Sequence, residues 1–112
     1  MEYGHIDEVK MEKVDVAKNT YIQWLITKED GAPHFAMRRF VVKKAGNTPY
    51  HSHAHEHEVF VLSGNGKAII EGEEFSLEPG SFILVKPEKT HQFINTGEDD
   101  LVFLCIVPIS RQ

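Results

Sequence analysis

Apolar residues in this chain come in short runs rich in Val, Ile and Phe, each closed by Gly, Pro, Asn or Asp. Runs of that kind, so closely spaced, read as β-strands joined by tight turns. The clearest cover 21–27, 35–43, 59–62, 68–71, 82–85 and 101–107, with turn-forming segments at 29–33, 63–66, 71–74, 78–80 and 95–100. No capped stretch of helical periodicity is long enough to serve as a crossover helix, which argues against βαβ units and a parallel sheet. An all-β sandwich or barrel of antiparallel strands remains. The segment 7–19 is weaker: Val9, Met11, Val14 and Val16 suit either an irregular strand or an arm that packs on a partner subunit.

The length of 112 residues suits a single domain, 1–112, with a real hydrophobic core. A formal charge of −5, with no basic cluster beyond the pairs Arg38-Arg39 and Lys43-Lys44, leaves no surface for neutralising phosphates, so nucleic acid is not expected as a partner. No apolar stretch is long enough to span a bilayer, and the start resembles neither a signal nor a transit peptide. The single cysteine, Cys105, has no partner for an internal disulfide. These features together predict a cytoplasmic protein without membrane contacts.

Histidine changes the picture. Five of the seven lie at 51, 53, 55, 57 and 91. Residues two apart on an extended strand point the same way, so His51 and His53 converge closely enough to share an ion. A histidine-rich run can also be a metal-sticky polar loop. Two facts speak against that here. The run leads directly into the apolar stretch 59–62, and His91 stands in a similar setting far along the chain, between the apolar runs 82–85 and 92–94. Two such strand edges suggest a site assembled by folding. The third ligand is open on alternation alone: Val59 and Val61 share the phase of His57, while Phe60 and Leu62 share that of Glu58.

From about residue 35 to 108 the sequence resembles the cupin family, with residues 1–34 left as an N-terminal strand or arm. The first motif is carried by Gly46, His51-x-His53, then His57 or Glu58, then Gly64; the second by Gly80, Pro87, His91 and Asn95, in order. The second motif departs from the family in having Glu88-Lys89-Thr90 where a glycine usually stands between the Pro and the His. The resemblance implies a double-stranded β-helix, a jelly-roll-like antiparallel barrel. The string His-x-His-x-x-x-His-Glu is similar to that of small single-domain cupins with four histidine ligands. On that likeness the ligands are His51, His53, His57 and His91, with Glu58 the alternative to His57. His55 would then be a surface residue of the intervening turn.

Four neutral imidazoles suit one divalent transition-metal ion, Mn, Fe, Ni, Zn or Cu, and not Mg or Ca. Each imidazole should give its second ring N–H to a carbonyl or carboxylate, for which Glu56, Glu58 and Glu88 are near in sequence. Metal affinity should fall below the imidazole pKa of ~6.5, with loss expected near pH 5. One of Arg38 and Arg39 points inward by alternation, and Arg38 is the candidate to hold a substrate carboxylate. Phe93, Phe103 and Cys105 are further candidate substrate contacts. Cys105 also reads as a buried small hydrophobe, and Trp24, Phe40 and Phe60 as core or subunit contacts. The resemblance implies a metal-dependent enzyme on a small organic molecule, dioxygenase-like first, isomerase or decarboxylase next. The alternative is a non-catalytic binder of a carboxylate or sugar. It also implies a homodimer, for which the strand 59–62, apolar on both faces, supplies a reason.

Overall fold

The computed structural model describes residues 2–109. Nine strands appear in it: β1 (Glu12–Lys13), β2 (Lys18–Ile26), β3 (Phe35–Asn47), β4 (His57–Ser63), β5 (Gly66–Ile70), β6 (Glu73–Leu77), β7 (Phe82–Val85), β8 (His91–Asn95) and β9 (Leu101–Pro108). They form one curled sheet in the order β6-β5-β8-β3-β9-β4-β7, with β2 also on β3 and β1 on β2. Every pairing is antiparallel. The expected all-β, cupin-type barrel is what the chain forms. No helix is long and apolar enough to cross a membrane.

Alternation along the strands builds the interior in levels. Register pairs Arg38 with Cys105, Phe40 with Phe103 and Val42 with Leu101 across β3 and β9. It pairs Val59 with Cys105 and Val61 with Phe103 across β4 and β9, and Ala68 with Phe93 and Gly66 with Asn95 across β5 and β8. One end of the barrel is closed and dry: Val42, Val61 and Leu101 have no solvent exposure. Above them Phe103 stacks on Phe40 at 5.3 Å and meets Phe93 at 4.9 Å, an aromatic floor. The other end carries His57, His91, Arg38 and Cys105.

Two turns show why the chain reverses where it does. The β5–β6 hairpin has Glu71 and Gly72 both at positive φ, 51° and 83°, the mirror-image turn whose twist matches paired strands. Gly64 has φ 85°, and a Cβ there would lie 2.2 Å from the Asp100 carbonyl oxygen, so a side chain is excluded twice over.

Of the two alternatives for the weak segment, this chain shows a short strand. A 3-10 turn (Ile6–Glu8) and the short β1 pack on this chain's own β2. Gln23 and Arg39 are cross-strand neighbours on the outward side of β2 and β3. The Gln23 Nε2 donates to the carbonyls of Ile6 and Val9, both at 2.9 Å, while Arg39 donates to its Oε1 at 2.7 Å. The expected strand set also omits β8, whose His91, Phe93 and Asn95 are buried, and β6, whose residues are exposed except Leu77.

The outer face of β4 and β7 is apolar. Phe60, opposite Phe82, is 46% exposed; Phe82 is 81% and Leu84 53% exposed.

Candidate functional site

The histidines are placed by backbone as much as by side chain. His51 and His91 form a reciprocal antiparallel bridge, His51 N to His91 O at 3.1 Å and His91 N to His51 O at 2.8 Å. The Thr48 N–H donates to the Phe93 carbonyl at 2.9 Å, and the Glu88 N–H to the His53 carbonyl at 2.7 Å. The segment from 48 to 53 is thereby held along β8 and the turn before it. Glu88 makes that bond from φ 68°, a left-handed conformation, so it occupies the backbone state a glycine would normally serve.

Ring centroids of His51 and His53 lie 4.4 Å apart, and those of His51 and His91 5.1 Å. One ring nitrogen from each of His51, His53 and His91 falls within 4.8 Å of the others, a set that could hold a metal ion. His57, first residue of β4, is buried and turned to the same space, its ring 4.8 Å from His91 and 5.3 Å from His53. It does not join the close set of three. Glu58 is exposed on the opposite face of β4, beside Phe60 and Leu84, and does not reach the cluster. The pleat accounts for its position: Val59 and Val61 are buried with His57, whereas Phe60 and Leu62 face out with Glu58. His55 is exposed, as a turn residue should be, yet its ring stacks on His53 at 5.1 Å and 7°.

The donor chemistry fits a transition metal. Burial lowers the pKa of His51, His53, His57 and His91, and of His57 to about 3, where the charges of His91 and Arg38 add to burial. The imidazoles are therefore neutral, as ligands must be. The His91 Nδ1 lies 3.0 Å from the Lys89 carbonyl; an N–H there leaves Nε2 as the lone pair. The partner is thus a backbone carbonyl, not one of the three glutamates named from sequence. The His57 Nδ1 lies 3.4 Å from both Arg38 and Cys105 Sγ, while its Nε2 is buried without a partner. A buried ring nitrogen left bare calls for an occupant.

The cluster opens into a cavity of about 360 Å³. Arg38, Phe93, Phe103 and Cys105 all line it. So do Trp24 and Phe40, assigned from sequence to core or interface, together with Lys13, Val14 and Val16 from the N-terminal segment. Trp24 is the cross-strand partner of Arg38, so the pairing register carries the signal that residue type alone does not.

Comparison with known proteins agrees with this architecture. The polyketide cyclase RemF from Streptomyces resistomycificus is 32% identical, with a TM-score of 0.91 over 98% of this chain and 80% of that one. Among curated relatives, a glucose-6-phosphate isomerase from Thermococcus litoralis is 33% identical over 72% of this chain and 49% of its own length. A 1-methylthio-D-xylulose 5-phosphate methylsulfurylase from Rhodospirillum rubrum is 29% identical over 67% of this chain and 48% of its own. The chain therefore spans about half the length of these curated relatives. Residues 38–107, which carry Arg38, the histidine bridge and the aromatic floor, match the Cupin domain family, and the chain belongs to that family.

Proposed function

We propose that His51, His53, His91 and the Nε2 of His57 together hold one divalent transition-metal ion. On this reading the protein is an enzyme that acts on an enolisable carbonyl compound without net oxidation. The observation that carries it is the bare, buried Nε2 of His57 beside three converging neutral imidazoles. The Nδ1–H of His57 then points to Cys105 Sγ and frees Nε2 to ligate. A bound ion would supply Lewis-acid polarisation of the substrate's carbonyl oxygens.

The chain's own residues define the rest. Phe40, Phe93 and Phe103 form an apolar shelf beneath the cluster that excludes water and favours a flat, conjugated body. No Asp or Glu lines the cavity among the described residues, so no carboxylate base stands ready. That suits a substrate whose C–H lies between two carbonyls and is already acidic, as in a poly-β-ketone, better than a simple sugar. The likeness to a polyketide cyclase supports the same choice. Dioxygenase chemistry, first in order from the sequence, would use the same ligands and is separated by experiment.

Metal analysis of protein purified without added metal should find about one ion per chain. His57→Ala should lose it and Glu58→Ala retain it. Zinc- or manganese-loaded protein should transform a linear 1,3-dicarbonyl substrate with no oxygen uptake. Stoichiometric oxygen consumption would sink the redox-neutral reading; binding of dicarbonyls without turnover would leave a ligand-binding cupin instead.

The partner we propose for the exposed face of Phe60, Phe82 and Leu84 is a second copy of this chain. Contiguous apolar side chains on paired strands support it. Sedimentation should give a dimer at micromolar concentration and a monomer after Phe82→Glu; a wild-type monomer contradicts it.

A further inference from the structure

Among the described residues, Arg38 is a charge without a counter-charge. The described lysine ion pairs join Lys43 to Asp100, Lys44 to Glu98 and Lys67 to Glu74, and Arg39 reaches Gln23; none of these contacts involves Arg38. Its guanidinium donates to Cys105 Sγ at 3.0 Å and lies 3.4 Å from His57 Nδ1, and no carboxylate lines the cavity around it among the described residues. Its Nε is buried and has no partner. A half-buried cation whose one hydrogen-bond acceptor is a neutral thiol is left under-compensated.

The surroundings say what would compensate it. The guanidinium sits over the faces of Trp24 and Phe40, 5.6 and 5.1 Å from their centroids. Although the chain carries a net −5, the formal charges lining the cavity are Arg38 and Lys13, both positive. Arg38 and Trp24 also line a second recess of about 780 Å³, so the pair stands where the two meet, within reach of a ligand in either.

We infer that Arg38 and Trp24 form an anion-binding subsite, and that the substrate carries a carboxylate on a flat conjugated body. The carboxylate takes the free N–H edge of the guanidinium, a fork that suits its two oxygens. The body lies against the aromatic faces. This deepens the reading of the cavity as a substrate site and rests on it, but it does not need the ion.

Trp24 is the sole tryptophan and reports directly on the subsite. The probes are trans-cinnamate and its neutral counterpart, cinnamamide, titrated by calorimetry and by Trp24 fluorescence. Each titration uses the full chain, once stripped with a chelator and once loaded with zinc. Cinnamate should bind at least about tenfold more tightly than cinnamamide in both forms and quench Trp24. Arg38→Gln should bring that ratio below about twofold, and Arg38→Lys, which keeps the charge but not the fork, should leave it in between. Equal affinity for the two probes in wild-type protein overturns the inference, and so does an undiminished ratio in Arg38→Gln. A preference confined to the zinc-loaded form would put the carboxylate on the ion and overturn it as well. If Arg38→Gln does not fold, Arg38→Lys and the wild-type ratio still decide. Failure of the stripped protein to take up zinc would count against the metal reading and leave the cinnamate ratio standing.

Discussion

The two ends of the barrel are built from the same strands and do opposite things. On β4 the inward residues run His57, Val59, Val61; on β8, His91, Phe93, Asn95; on β9, Cys105, Phe103, Leu101. At the closed end the polar groups are fully engaged. The Asn95 Nδ2 donates to the carbonyls of Val42 and Asp99 at 2.8 Å, and its Oδ1 accepts from the Gly97 N–H at 2.8 Å. At the open end His57 Nε2 and Arg38 Nε are buried and unmatched. Stability is concentrated at one end and unmet chemistry at the other, with the aromatic floor between them. The contrast shows how a chain of this size tolerates unmatched polar groups: those left wanting are confined to one level of the interior.

If that division is right, acid should act on the open end first. The folded-state pKa of His57, about 3, lies far below the unfolded value of ~6.5. The unfolded chain therefore binds the proton first, and stability of metal-free protein falls as pH drops from about 6.5 and levels off near 3. The full effect of His57 is on the order of 4 kcal/mol, with His51, His53 and His91 acting in the same direction. Denaturant titration over that range should show the slope, and His57→Leu should flatten it. Weaker proton competition at these imidazoles should lower the pH of metal release relative to the pH 5 expected from ordinary imidazoles, to be checked by metal content measured against pH in wild type and His57→Ala.

Leu101→Ala strikes the closed end. It should cost about 3 kcal/mol by chemical denaturation while the metal bound per folded molecule stays constant. Loss of metal along with stability would break the division between the ends. Asn95→Ala leaves two carbonyls and one N–H without their partner and should cost about 2 kcal/mol, again with metal content unchanged. The smallest effect should be a gain. Glu88→Gly relieves a left-handed backbone beside His53 and should raise stability by roughly 0.5–1 kcal/mol, read as a higher thermal midpoint.

Most strands that bury a face are legible in the sequence; β8 is the exception, because His91, Gln92 and Asn95 leave it only Phe93 and Ile94 as apolar signal. The run 82–85 is β7 to the residue, because Phe82 to Val85 is continuous and bounded by Gly80 and Pro87. β6 is not legible, since Glu73, Glu74, Phe75 and Ser76 are exposed and only their ladder with β5 makes them a strand. The histidine cluster can be read from spacing, but the choice between His57 and Glu58 cannot. Apolar residues occupy both phases of β4, and only the curl of the sheet decides which phase is interior. Trp24 is missed for a related reason. An aromatic on a strand looks like core until its register against Arg38 is known.

The reciprocal bridge between His51 and His91 has a consequence for the order of events in the cell. Both residues are positioned by main-chain bonds that form with the sheet, so the converging imidazoles are already in place when the chain finishes folding. An arriving ion has little left to organise, unlike one that must gather its ligands from an unfolded chain. On the proposed metal-binding reading, capture would follow folding, and the supply the finished protein meets would decide which metal takes the position.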